Sequence, residues 1–183
     1  GNDFGTFNLL QYSEEFDQSI WSKSNASITP NAIKTPTSTF TGDKLVENTA
    51  NSTHYVRQSV SVVNGTTYTV SFYIKAGERS EIYSDLSGTV SGALVVYNAS
   101  TDTFVSTGSG VSSYSSESVG DGWYRVKYTV TSQNTQGGFL QFYLHVGGTL
   151  TYTGDGTSGV YIWGAQLEES STATPYVKSD VTW

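Results

Sequence analysis

Residues 66–75 read TTYTVSFYIK, with Tyr68, Val70, Phe72 and Ile74 on one side of the chain and Thr69, Ser71, Tyr73 and Lys75 on the other. A period of two belongs to a strand with one buried face and is incompatible with an amphipathic helix. The pattern returns twice. Leu140, Phe142, Leu144 and Val146 alternate with Phe139, Gln141, Tyr143 and His145, and Tyr124, Val126, Tyr128 and Val130 alternate with Trp123, Arg125, Lys127 and Thr129. Residues 160–168 are a further strong strand, 82–86 and 93–97 are shorter ones, and the Ser-rich 109–118 is either a strand or a mobile loop. By this test there are about ten to twelve candidate strands. Asn64-Gly65 is the strongest short hairpin signal, so residues 55–63 and 66–75 are expected to pair directly. The 27 Ser, 25 Thr and 19 Gly supply strand and turn residues, while strong helix formers are sparse, which excludes a helical bundle. The expected fold class is all-β, a sandwich of antiparallel sheets.

A length of 183 residues suits one module spanning 1–183, with its core over about 8–177. Sixteen acidic against nine basic residues give a net charge of -7, which disfavours a nucleic-acid partner. No apolar run approaches the roughly 20 residues of a membrane-spanning helix, so no membrane insertion is expected. The absence of Cys removes thiol catalysis, disulfides and Cys-ligated zinc together. Met is absent as well, which reads as a module excised from a longer protein, with Gly1 a cloning scar or a cleavage end and the other domains of the parent as its partners.

The catalytic search finds no G-x-S-x-G elbow, H-E-x-x-H, Walker loop or Rossmann glycine pattern. His54 and His145 lie far apart in sequence. Acids such as Glu78, Glu81, Asp85, Glu117 and Asp121 are available for paired-carboxylate chemistry, but they read more simply as solvated strand-end charges. Gly154-Asp155-Gly156-Thr157 reads as a turn, since the further acids of an EF-hand loop are missing. The chain is therefore not expected to be an enzyme.

The aromatic inventory says more. Thirteen Tyr, eight Phe and four Trp exceed what one small core needs, so some rings belong to the surface. Parity places Tyr73, Tyr83, Trp123, Tyr143 and His145 opposite the aliphatic face of their own strands. Arg57, Lys75 and Gln141 share that parity. Rings that stack on sugar C–H faces beside forked donors and acceptors are the chemistry of glycan recognition, so the candidate ligand-binding set is Arg57, Tyr73, Lys75, Gln141, Tyr143 and His145. The competing reading covers this second face with another sheet or subunit.

Four stretches carry a family resemblance: 8–21, NLLQYSEEFDQSIW; 56–79, VRQSVSVVNGTTYTVSFYIKAGER; 120–130, GDGWYRVKYTV; and 159–176, GVYIWGAQLEESSTATPY. In this order they resemble the carbohydrate-binding-module-like domains of bacteriophage tail fibres, tailspikes and other virion proteins. More distantly they are similar to the jelly-roll carbohydrate-binding modules of polysaccharide-degrading enzymes. The resemblance implies a jelly-roll β-sandwich, galactose-binding-like or carbohydrate-binding-module-like, with glycan on a concave face or in the loops at one end. It also implies a structural Ca2+ held near Glu14 or Glu15, Asp43 and Glu168, although Gln166 and Glu168 stand where the enzyme-appended modules usually carry an Asp pair.

Together these readings give a non-catalytic module that binds a polysaccharide or cell-surface glycan, located extracellularly or on a virion surface, with avidity gained if the parent assembly is a homotrimer. The alternatives are a spacer or decoration domain of a virion protein without sugar binding, and a glycosidase or lyase.

Overall fold

The computed structural model describes residues 7–180; Gly1 lies outside that range. Among the described residues fourteen strands follow in chain order. The first seven are β1 (Ser22–Ser24), β2 (Ala26–Ile33), β3 (Gly42–Glu47), β4 (Asn51–Ser52), β5 (Tyr55–Val62), β6 (Thr67–Lys75) and β7 (Glu81–Ser87). The rest are β8 (Leu94–Asn98), β9 (Thr103–Thr107), β10 (Val111–Gly120), β11 (Trp123–Thr131), β12 (Gln136–His145), β13 (Tyr152–Thr153) and β14 (Gly159–Glu168). Two antiparallel six-stranded sheets result, β1-β5-β12-β7-β8-β9 and β10-β11-β6-β14-β3-β2, with a small β13-β4 pair beside them. They are called the β5/β12 sheet and the β6/β14 sheet below. This is the all-β sandwich that the alternation predicts.

The core lies between the sheets, and the inward set is the aliphatic side of each alternating run. Tyr68, Val70, Phe72 and Ile74 of β6 face Leu140, Phe142 and Leu144 of β12, all of them buried. Leu10, Phe16 and Trp21 from residues 8–21 complete this core. Phe16 and Trp21 pack with ring centroids 4.7 Å apart, and each reaches Phe142 at 6.3 and 6.2 Å respectively.

The expected hairpin at Asn64-Gly65 is not there. β5 pairs with β1 and β12 while β6 pairs with β11 and β14, so the turn carries the chain from one sheet to the other. Gly65 supplies the positive φ of 84° that the tight turn needs, and its N–H donates to the Ser132 carbonyl at 2.8 Å. Both flanking strands turn their apolar side inward, which two strands can do face to face as well as side by side. The Asp121-Gly122 turn, in contrast, closes the β10–β11 hairpin, and the Ser-rich stretch is strand β10.

β14 changes parity midway through a bulge between Trp163 and Gln166. Gly164 sits there with φ 61°, and a Cβ on it would lie 2.9 Å from the Tyr73 ring and 3.3 Å from that of Tyr176. Gly164→Ala should therefore lower stability by about 1–2 kcal/mol for the left-handed backbone alone, read as a drop in the urea midpoint with unchanged m. An unchanged midpoint would remove the strain argument.

After β14 the chain crosses the outer face of the β6/β14 sheet as a strap, residues 169–180. Arg125 donates to the Thr174 carbonyl at 2.8 Å, Thr69 to that of Ser170 at 2.8 Å, and Ser13 exchanges hydrogen bonds with Ser179. Tyr176 packs on Trp163 at 4.8 Å and on Tyr73 at 6.1 Å. One outer face of the sandwich is thus largely covered by the chain itself.

Candidate functional site

The outer face of the β5/β12 sheet is left uncovered by the strap. Antiparallel register sets its side chains in rows: Tyr55 of β5, Tyr143 of β12 and Tyr83 of β7 stand in line, and the next row is Arg57, Gln141 and Asp85. Directly opposed side chains on one face are the closest neighbours a sheet offers. Tyr55 and Tyr143 stack with centroids 4.4 Å apart, and Tyr83 meets Tyr143 edge-on at 5.5 Å. The three half-buried rings form a continuous aromatic row across three strands.

The polar row beside it is a chain of hydrogen bonds. The Arg57 guanidinium donates to Gln141 Oε1 at 3.4 Å, Gln141 Nε2 donates to Asp85 Oδ1 at 2.8 Å, and the Tyr143 hydroxyl donates to Gln141 Oε1 at 3.3 Å. A donor on one side and an acceptor on the other fix the orientation of the amide. The guanidinium also lies 3.9 Å from the centre of the Phe139 ring and 5.3 Å from that of Tyr55, a cation–π clamp that holds it against the sheet. Among the described residues only one of the Arg57 N–H groups is hydrogen-bonded, and Asp85 Oδ2 has no partner. Those groups are the hydrogen-bonding capacity of the face.

Burial pushes the Asp85 carboxyl up to about 6, opposed by the Gln141 hydrogen bond. Burial likewise pushes the Tyr143 hydroxyl up to about 12 and raises Tyr83. A carboxyl whose folded pKa is raised contributes stability below its unfolded pKa and loses it as pH rises through the folded value. Asp85→Asn keeps an oxygen for Gln141 and removes the charge. It should match the wild type at pH 4 and exceed it at pH 7.5, by on the order of 1–3 kcal/mol, in urea unfolding. Equal stabilities at both pH values would contradict it.

Two grooves lie on this face, the first beyond the polar row and the second beside Tyr83. One of about 470 Å3 is lined by Ser59, Ser61, Gly137 and Phe139. The other, about 570 Å3, is lined by Tyr83, Leu94, Val96 and His145 with the loop at residues 148–151. His145 closes the end of β12, its Nδ1 3.9 Å from Glu81 Oε1 and without a hydrogen-bond partner among the described residues.

Four of the six residues predicted as a ligand set, Arg57, Gln141, Tyr143 and His145, therefore share this face. Tyr73 and Lys75 do not. They belong to β6 and point outward from the opposite sheet, where Tyr73 packs on Trp163 at 5.0 Å and under the strap, so the single face drawn from parity is corrected to two. Trp123 has the outward parity but is 1% exposed, covered by the segment after β2, with its indole N–H donating to the Lys34 carbonyl at 3.0 Å. Sequence reasoning missed Tyr55, Phe139 and Asp85 as parts of the site. The signal for Tyr55 was its position two residues before Arg57 on one strand, hence on the same face.

The acids expected around calcium do not converge. Asp43 Oδ2 accepts from the Phe16 N–H and Oδ1 from that of Asn31, and burial, opposed by these bonds, pushes its carboxyl up to about 6. Glu14 accepts from the Tyr176 hydroxyl, while both oxygens of Glu168 are taken by Gln166 and Thr174. Glu15 approaches Asp43 only as a like charge. Among the described residues no group of three or more His, Cys, Asp or Glu could hold a metal ion.

No family model matches the chain, and no curated protein does. Solved structures do. The enzymatically active domain of tailspike protein 4 of bacteriophage CBA120 superposes with a TM-score of 0.53 at 12% identity over 88% of this chain, which spans 21% of that one. TmCBM61, solved in complex with beta-1,4-galactotriose, gives 0.50 at 14% identity over 90% of this chain and 99% of its own. The CBM22-1 xylan-binding domain of Paenibacillus barcinonensis Xyn10C gives 0.50 at 11% identity, covering 92% and 97%. The chain thus has the jelly-roll fold of carbohydrate-binding modules. The likeness is one of fold, which leaves function to be argued from the site.

Proposed function

We propose that this protein is a non-catalytic module that binds a polysaccharide or surface glycan on the outer face of the β5/β12 sheet. The observation that carries the reading is the Tyr55–Tyr143–Tyr83 row set against the Arg57–Gln141–Asp85 chain, with two grooves on the same face. Half-exposed rings receive the apolar face of a pyranose, and free guanidinium N–H groups and a carboxylate oxygen pair with its hydroxyls. The face is shallow and open, which suits modest affinity multiplied by repeated copies in a parent assembly. Phage and polysaccharide-binding structural neighbours support a place outside the cell or on a virion surface. Affinity electrophoresis against neutral plant, algal and bacterial polysaccharides, including β-1,4-galactan and xylan, tests the reading: at least one should retard the protein. A clean negative across the panel would leave the spacer or decoration role instead.

A further inference from the structure

The covered sheet carries a second, chemically different feature. Arg125 of β11 is 6% exposed, and a buried guanidinium is ordinarily matched by a carboxylate. Here every partner is neutral. Its Nη2 donates to Ser71 Oγ at 3.2 Å and to the Thr174 carbonyl at 2.8 Å, its central carbon lies 5.5 Å from the centre of the Tyr73 ring, and its Nε has no hydrogen-bond partner among the described residues. Glu117 stands opposite Arg125 on β10, yet it makes no ion pair with it. Two residues further along β11, on the same face and roughly 7 Å away, Lys127 has neither a hydrogen bond nor an ion pair among the described residues. Among the described residues neither of these adjacent cations is in an ion pair, in a chain whose net charge is -7.

Beside them lies a groove of about 330 Å3 between β10, β11 and β6 on one side and the strap residues Ser171, Thr172 and Ala173 on the other. Lys127 lines it together with the hydroxyl-bearing Thr69, Ser113, Ser115 and Thr129, and no acid does. A cation beside a bed of hydroxyls, two residues from a buried guanidinium on the same strand, is complementary to a small anionic group on a polyhydroxylated chain.

We infer that this groove is a second site, on the opposite side of the sandwich from the aromatic row, for the sulfate ester or uronate carboxylate of an acidic polysaccharide. It stands apart from the β5/β12 face and does not depend on it. Because Arg125 is tied into the strap, the variants that test it lie at the groove surface: Lys127→Gln removes the charge, and Ser115→Asp adds an opposing one.

Affinity electrophoresis of the full chain in dextran sulfate, polygalacturonate and unmodified dextran is the test, with thermal melts to confirm that both variants fold. At least one polyanion should retard the wild type and dextran should not. Each variant should weaken that binding about tenfold or more, and added salt should weaken it in the wild type. The inference is overturned if neither polyanion retards the protein, or if inorganic sulfate binds with no polyanion doing so. It is equally overturned if both variants behave as the wild type while Arg57→Ala abolishes the retardation, since the anion then sits on the other face.

Discussion

Glu47→Ala is expected to lower folding stability by about 3–5 kcal/mol, the cost of breaking a buried ion pair by removing one partner. Glu47 is 1% exposed at the end of β3, and its carboxylate is saturated. Oε1 accepts from Arg79 Nε at 2.7 Å and from the Tyr152 hydroxyl at 2.8 Å, while Oε2 accepts from Arg79 Nη2 at 2.8 Å and from the Asp155 N–H at 2.7 Å. One residue thereby ties the β6–β7 connection, strand β13 and the loop before β14 to β3. Its loss strands the guanidinium, the phenol and the amide together. For a chain of this length the change corresponds to roughly 6–20 °C in Tm.

The pH dependence of this pair has a definite sign. Burial pushes the Glu47 carboxyl up, but the Arg79 and Tyr152 hydrogen bonds outweigh it and hold the carboxyl below its ordinary range. A depressed carboxylate contributes stability that is present above its unfolded pKa and lost as pH falls through the folded one. The gap between wild type and Glu47→Ala should therefore be widest above pH 5 and narrow on acidification below about 4.5. A gap that stays constant down to pH 2.5 would mean that the carboxylate's charge is irrelevant there.

What the sequence disclosed and what it withheld divide along one physical line. Alternation reports which side of a strand faces the core, and it did so correctly for Tyr68 to Ile74 and for Leu140 to Leu144. It carries no information about which sheet the strand joins, because both sheets of a sandwich turn the same kind of side inward. Tyr73 and Tyr143 therefore have the same parity and lie on opposite outer faces. The Asn64-Gly65 turn failed for the same reason: it fixes a sharp reversal, not the partner. Likewise the strap could not be read from residues 169–180, whose role rests on side chains far away, such as Arg125, Ser13 and Glu14. The four residues of the candidate site that were legible sit on the two strands, β5 and β12, whose mutual register makes them neighbours.

That separation of faces makes the binding prediction sharp. Tyr143→Ala should weaken affinity for the retained glycan by about 10- to 100-fold, equivalent to roughly 1.4–2.8 kcal/mol, as expected for a central aromatic anchor. Tyr143 is the middle ring of the row, with Tyr55 stacked on one side and Tyr83 edge-on at the other, so its removal takes one platform and unseats two. Its hydroxyl also helps to orient Gln141, so the variant loosens the chain from Arg57 to Asp85. Gln141→Ala, which leaves all three rings in place, should cost less than Tyr143→Ala. Lys75→Ala lies on the far sheet, and its affinity should equal that of the wild type by titration calorimetry. If Lys75→Ala abolished binding while Tyr143→Ala left it intact, the ligand would have to sit on the β6/β14 sheet.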